Sequence, residues 1–164
     1  MGDVYDLLFT ASRNGNIKIV KKIFKQYKYT DVNIMDEQGN TPLHIATISN
    51  NIIIVKYLIS KGACIDIKNK NGKTPLYNAI EVNNFEIASF LLTHGATVDI
   101  KDINGMTPLH IAVINKLYNI TTLLIFNHSN TDIKNSNGET PLDLAKDDKQ
   151  MISILTGNLF ELRN

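Results

Sequence analysis

One octet governs what this chain can fold into. Gly39-Asn40-Thr41-Pro42-Leu43-His44-Ile45-Ala46 returns as Gly72-Lys73-Thr74-Pro75-Leu76-Tyr77-Asn78-Ala79. It returns again as Gly105-Met106-Thr107-Pro108-Leu109-His110-Ile111-Ala112 and as Gly138-Glu139-Thr140-Pro141-Leu142-Asp143-Leu144-Ala145. The glycines stand at 39, 72, 105 and 138, so each step is 33 residues with no slippage. Self-similarity at a fixed period of this length is the mark of a solenoid, in which each unit touches only its neighbours. It argues against a closed globule around a buried active site, and so narrows function before any single residue is weighed.

The unit that begins near Glu37 shows the local logic. Asp36-Glu37-Gln38-Gly39 reads as a turn with glycine free to take positive φ. Thr41 then serves as a helix N-cap, and Pro42 falls at the first helical position, where its missing N–H is no loss. Leu43, Ile45 and Ala46 give a short helix an apolar face. Asn50-Asn51 ends it, because asparagine tolerates the left-handed conformation of a tight turn. A second helix carries Ile54-Val55 and Leu58-Ile59 four residues apart, which makes one stripe. Gly62 ends that helix as a left-handed cap, and Ala63-Cys64-Ile65-Asp66-Ile67 leads on, extended.

The outer stripe recurs as Ile87-Ala88 with Leu91-Leu92 and as Ile120-Thr121 with Leu124-Ile125. An amino-terminal unit lacks Thr-Pro-Leu, but Leu8, Ala11, Gly15, Ile19-Val20 and Ile23-Phe24 keep the same relative places. Helices this short are not stable alone in water, so stacking on neighbours must supply the stability. Ala46, Ala79, Ala112 and Ala145 recur where helices must approach closely.

Composition removes several function classes. The formal net charge is +1, which gives no electrostatic case for nucleic acid or an anionic membrane. The longest apolar runs, such as Ile52-Ile53-Ile54-Val55, are far short of a membrane span. Met1-Gly2-Asp3-Val4-Tyr5-Asp6 has no basic-then-apolar signal pattern, and Asp6 stands where a myristoylation signal wants Ser or Thr. Cys64 is the only cysteine, so no internal disulfide forms, which fits a reducing interior such as the cytosol of the producing cell or of a host.

The octets resemble the ankyrin repeat, whose signature is a turn glycine followed by Thr-Pro-Leu-His-x-Ala. The resemblance covers essentially the whole chain, with Thr-Pro-Leu in register four times. It implies an all-α solenoid of stacked helix pairs with β-hairpin finger loops, one domain over 1–164. The units are expected at 1–36, 37–69, 70–102, 103–135 and 136–164, the first and last as caps. It also implies a concave face made of fingers and inner helices, where such proteins usually hold partners.

The chain departs from the pattern in places. The signature His is Tyr77 and Asp143 in two units. His128 stands where Gly62 and Gly95 cap the other outer helices, and Lys116 stands where Asn50 and Asn83 do, so backbone strain is expected at both. In the last unit Met151, Ile152 and Leu155 match Ile54, Val55 and Leu58 only after deletion of two residues, which reads as a shortened turn. Leu159-Phe160-Glu161-Leu162 is expected to fold back over the open end.

No constellation supports catalysis. In this family the signature His usually bonds the capping Thr and the neighbouring turn, so His44 and His110 read as structural. No histidine pair has helical i, i+4 spacing and none has a cysteine partner, so no metal and no cofactor are expected. Asp66, Asp99 and Asp132 recur at the repeat spacing, as a ladder along the fingers and not as a convergent acid–base pair. Lys18, Lys21, Lys22, Lys25 and Lys28 read as the solvated face of a helix that buries Ile19, Val20, Ile23 and Phe24.

The functional weight falls on finger tips and exposed inner-helix ends. By the repeat frame these include Met35, Ile48, Lys68, Lys70, Lys73, Val82, Ile103, Met106 and Ile114. Ile103, Met106 and Ile114 are apolar where the scaffold does not require it, and such groups rimmed by charge mark partner sites. Lys68, Lys70 and Lys73 favour a partner with acidic rim residues. The expected function is non-catalytic binding of another protein, which blocks or adapts that partner, a host protein among the candidates. The chain is expected to act as a monomer. A regulatory subunit of an enzyme and a self-assembling repeat protein are the alternatives.

Overall fold

A computed structural model describes residues 2–157 of the chain; the expectation for Leu159-Phe160-Glu161-Leu162 lies outside these residues. Ten helices follow one another in pairs: α1 (Gly2–Arg13) with α2 (Ile17–Gln26), α3 (Pro42–Ile48) with α4 (Ile52–Ser60), α5 (Pro75–Glu81) with α6 (Phe85–Thr93), α7 (Pro108–Ile114) with α8 (Tyr118–Phe126), and α9 (Pro141–Ala145) with α10 (Lys149–Thr156). The odd-numbered helices pack in succession as an inner layer, and the even-numbered ones form an outer layer. From α2 to α8 the outer helices touch one another less than the inner ones do.

Each inner helix from α3 onward starts by the same chemistry. Thr41, Thr74, Thr107 and Thr140 are extended and accept the N–H of the residue three positions on, with proline at the first helical turn. Leu43, Leu76 and Leu109 are then fully buried between layers, with Ala46, Ala79 and Ala112 where inner helices meet. In the outer layer Ile54-Val55-Leu58, Ile87-Ala88-Leu91 and Ile120-Thr121-Leu124 point inward and are buried. Leu8, Ala11, Val20 and Ile23 do the same in the first pair, although that pair lacks the Thr-Pro-Leu signature.

The fingers close by side-chain chemistry. Asp36, Asn69, Asp102 and Asn135 each accept two backbone N–H groups of their own turn through one Oδ1 atom. Two backbone bonds close each loop as a hairpin: the N–H of the same residue donates to the carbonyl of Asn40, Lys73, Met106 or Glu139, and its own carbonyl accepts the N–H of Gly39, Gly72, Gly105 or Gly138. Because the Asx side chains already satisfy the turn's donors, pairing does not extend, and no strand forms among the described residues. Adjacent fingers share one rung each: Lys70 N–H to Gln38, Ile103 N–H to Asn71 and Ser136 N–H to Asn104.

The strain expected in the fourth unit is present, since Lys116 has φ 54° and His128 φ 62°. The last unit departs from expectation in how it shortens. Its helix–helix turn keeps three residues, Lys146, Asp147 and Asp148, while α9 has five residues against seven in α3. The two missing residues are therefore lost from the inner helix. Lys146, at φ 50°, turns the chain out early.

Candidate functional site

The histidines and their replacements tie units together. His44 Nδ1 accepts the Thr41 N–H at 3.1 Å and lies 2.9 Å from Thr41 Oγ1, while its Nε2 lies 3.1 Å from the Lys73 carbonyl of the next finger. His110 repeats this with Thr107 and the Glu139 carbonyl. Burial, above all, holds both imidazoles below their usual pKa. Tyr77 takes the same place and donates its hydroxyl to Asp102 Oδ2 at 2.8 Å, and burial together with that bond pushes its pKa up. Asp143 instead folds back on its own cap. Its Oδ2 accepts the Thr140 N–H and hydroxyl, both at 2.8 Å, and these bonds hold its carboxyl below the usual range.

The repeated aspartates also bridge units. Asp66 accepts the N–H and hydroxyl of Thr97, and Asp99 accepts the Ser129 hydroxyl and the Asn130 N–H. No group of three or more His, Cys, Asp or Glu among the described residues is placed to hold a metal ion. These side chains are occupied with holding the stack, and what remains available for chemistry is surface.

That surface divides the sequence-derived positions into three kinds. Met35, Ile48, Val82, Ile103 and Ile114 are exposed, Ile103 the most at 67%. Lys68 and Lys70 are exposed as well. Met106 and Lys73 are half-buried and engaged. The Met106 thioether accepts the Asn135 amide of the next finger at 3.4 Å. Lys73 Nζ sits 2.6 Å from Glu81 Oε1 and 5.4 Å from the centre of the Tyr77 ring, so its charge is largely spent within its own unit.

Two clefts collect several of these residues. Ile48 and Val82 join Asn50, Asn83, Asn84, Phe85 and Glu86 around a shallow cleft of about 440 Å³. Ile114 joins Val113, Leu144, Ala145 and Met151 around a deeper one of about 500 Å³, rimmed by Lys116, Lys146, Asp147 and Asp148. The second cleft is a consequence of the short α9, which ends before it can cover the end of α7. At its rim the Asp148 carboxylate accepts the Met151 N–H and the Tyr118 hydroxyl, and these bonds, the first above all, hold it below the usual pKa range.

Sequence reasoning passed over two features. Leu142 occupies the place of the buried Leu43, Leu76 and Leu109 yet is exposed, because no described helix packs beyond α9 to cover it. On the outer layer, Phe85 and Phe126 line an apolar groove of about 400 Å³ with Asn119, Thr122 and Leu123. Phe126 is 81% exposed at a position held by Ser60 and Thr93 in the preceding units, and that contrast was the available signal.

Residues 8–102 match ankyrin repeats in three copies, and residues 91–145 match ankyrin repeats in many copies. Among relatives, the chain is 46% identical over 56 residues to alpha-latrocrustotoxin-Lt1a of Latrodectus tredecimguttatus, a stretch that covers 34% of this chain and 4% of that protein. It is 39% identical over 56 residues to the palmitoyltransferase akr1 of Emericella nidulans, covering 34% and 8%. It is 34% identical over 65 residues to the ankyrin repeat protein FPV240 of Fowlpox virus, covering 40% and 16%. The chain thus spans a small part of these relatives' length. Ankyrin repeats are in general protein–protein interaction modules and are typically non-catalytic. No described helix is long and apolar enough to cross a membrane. From the octets, the paired helices and the match over residues 8–102, this chain belongs to the ankyrin-repeat family.

Proposed function

We propose that the chain is a non-catalytic binding module that holds a partner protein against its finger and inner-helix face. The observation that carries this reading is Ile103. It is two-thirds exposed (67%) at a finger tip where the neighbouring registers hold Glu37, Lys70 and Ser136, so the fold has no use for an apolar side chain there. Met35, Ile48, Val82 and Ile114 add exposed apolar surface on fingers and inner-helix ends. The cleft beside Ile114 gives a large apolar side chain of the partner a place to insert. The face is held by cap bonds, rungs and side-chain bridges before any partner arrives, so little ordering entropy is lost on binding.

In this reading the chain acts as a monomer in a reducing compartment, the cytosol or that of a host. It blocks or adapts its partner by covering it, with a host protein as one candidate. The test is affinity capture with the wild-type chain and with Ile103→Glu, Ile114→Glu. Both positions are exposed, so the variant keeps its stability within about 0.5 kcal/mol and loses its captured protein. Unchanged capture by that variant, with loss on Phe126→Glu instead, would move the partner to the outer-layer groove and overturn the proposal.

A further inference from the structure

Lys68, Lys101 and Lys134 stand one repeat apart, with Met35 as the preceding member of the same row. All three lysines are exposed. Lys68 Nζ donates to the Lys101 carbonyl at 2.9 Å, and Lys101 Nζ donates to the Lys134 carbonyl at 3.1 Å. Each of these two ammonium groups is thus pinned to the main chain of the next finger, and two of its three protons stay available. The salt bridges among the described residues use Lys56, Lys73 and Lys116, and none uses this row. Lys134 lies near enough to Asp143 to help depress that carboxyl.

We propose that this row is a charge ladder that reads an acidic, extended segment of the partner protein with a carboxylate at every third residue. The proposal rests on the finger-face reading above and deepens it by naming the partner's chemistry. Neighbouring packed helices are about 8–10 Å apart, which sets the step between units. A polyproline II segment turns once every three residues and rises ~9 Å in doing so. Its residues i, i+3 and i+6 therefore face the same side at the step of the ladder. A strand does not do this, because its side chains alternate with a period of two. A helix laid in a groove needs a continuous apolar trough, and this row is three lysines preceded by one methionine. Met35, at the start of the row, calls for an apolar residue one step before the first acid.

The probe is a capped peptide of one Leu-Pro-Pro triplet followed by three Glu-Pro-Pro triplets, titrated into the isotopically labelled full chain and followed by amide chemical shifts. The expected result is shifts concentrated at Met35, Lys68, Lys101 and Lys134. Affinity should fall at least threefold for a peptide of the same composition with its three Glu adjacent. It should fall at least fivefold in Lys101→Glu, and not at all in Lys21→Glu, Lys25→Glu on the outer layer. Equal affinity for the clustered peptide, or no effect of Lys101→Glu, sinks the ladder while leaving the finger-face proposal to its own capture test. Shifts centred on Lys18–Lys28 would also sink it. So would tighter binding of a single-stranded oligothymidylate at the ladder, which would make the row a nucleic-acid contact.

Discussion

Acid should loosen this stack above the pH at which carboxylates titrate, and the two buried histidines should be the cause. In both, Nδ1 accepts the N–H of the capping threonine, so the single ring proton belongs on Nε2, where it is donated to the next finger's carbonyl. A second proton would set an Nδ1–H against a backbone N–H in a buried site. Both groups accordingly have folded pKa values below 6.5, chiefly through burial. In the unfolded chain they bind protons near 6.5, so on acidification the unfolded state takes up more protons than the folded one, and stability falls with pH. This stability is fully present above 6.5 and is lost as pH drops from there toward the folded values. One such group contributes a slope of at most ~1.4 kcal/mol per pH unit, and two give at most ~2.8. Urea unfolding should therefore show a loss of about 1–3 kcal/mol between pH 7.5 and 5.5. The double variant His44→Tyr, Asn69→Asp copies the pairing of Tyr77 with Asp102 into the preceding unit. Asp36 and Asp102 already show that an aspartate can hold the finger turn at that register. The variant should cut the drop by about half, whatever its offset at neutral pH, since the pH dependence is what is read. A wild-type curve flat over this range, or a drop of unchanged size in the variant, would refute the tautomer argument.

Three further outcomes follow from backbone and burial. His128→Gly relieves a φ of 62° at a position where Gly62 and Gly95 stand in open space, and after the entropy of glycine is set against it the gain should be ~0.5–1 kcal/mol, a rise of about 1–4 °C in Tm. Asn78 is buried with its Oδ1 unpartnered, in the register of Ile45 and Ile111, so Asn78→Ile should stabilise by about 1–3 kcal/mol in urea unfolding. An alanine at Gly62 meets nothing within 4 Å, whereas at Gly72 its Cβ would fall 2.9 Å from Ile103 N and 3.0 Å from the Asp102 backbone. Gly72→Ala should thus destabilise by about 1–3 kcal/mol more than Gly62→Ala, and equal Tm values for the two would show that the fingers give way freely.

What could be read in the sequence was local and repeated. Thr41-Pro42 starts a helix by chemistry that acts within four residues, and the same words recur at Thr74, Thr107 and Thr140, so helix starts, layer order and the buried Leu and Ala positions followed directly. What could not be read depended on the neighbouring unit. Met106 and Ile103 are equally apolar in the sequence, yet one rests on Asn135 of the next finger and the other does not. Lys73 looked like a free charge beside Lys68 and Lys70, but Glu81, eight residues on, reaches back to it across the corner between finger and helix. The two-residue slip in the last unit was visible. Its location was not, because Ala145-Lys146 can continue a helix and only the positive φ of Lys146 shows where α9 stops.

This division bears on where function sits. Rows that hold the stack carry nearly the same residue in the four units from α3 onward: the capping Thr, the Pro and Leu after it, the Ala at the inner contact and the finger Asp or Asn. A row that changes from unit to unit, Glu37, Lys70, Ile103 and Ser136, stands exposed at the finger tips and is under no packing demand common to these units. Stability in a linear stack accumulates from repeated contacts between neighbours. A side chain at a variable row can therefore be exchanged with little effect on the fold, which is what lets the surface be shaped to a partner while the core repeats. The short α9 extends the same principle to the backbone. A loss of two residues from α9 opens an apolar cleft beside Ile114, at a place where the seven-residue inner helices of the preceding units run on for another half turn.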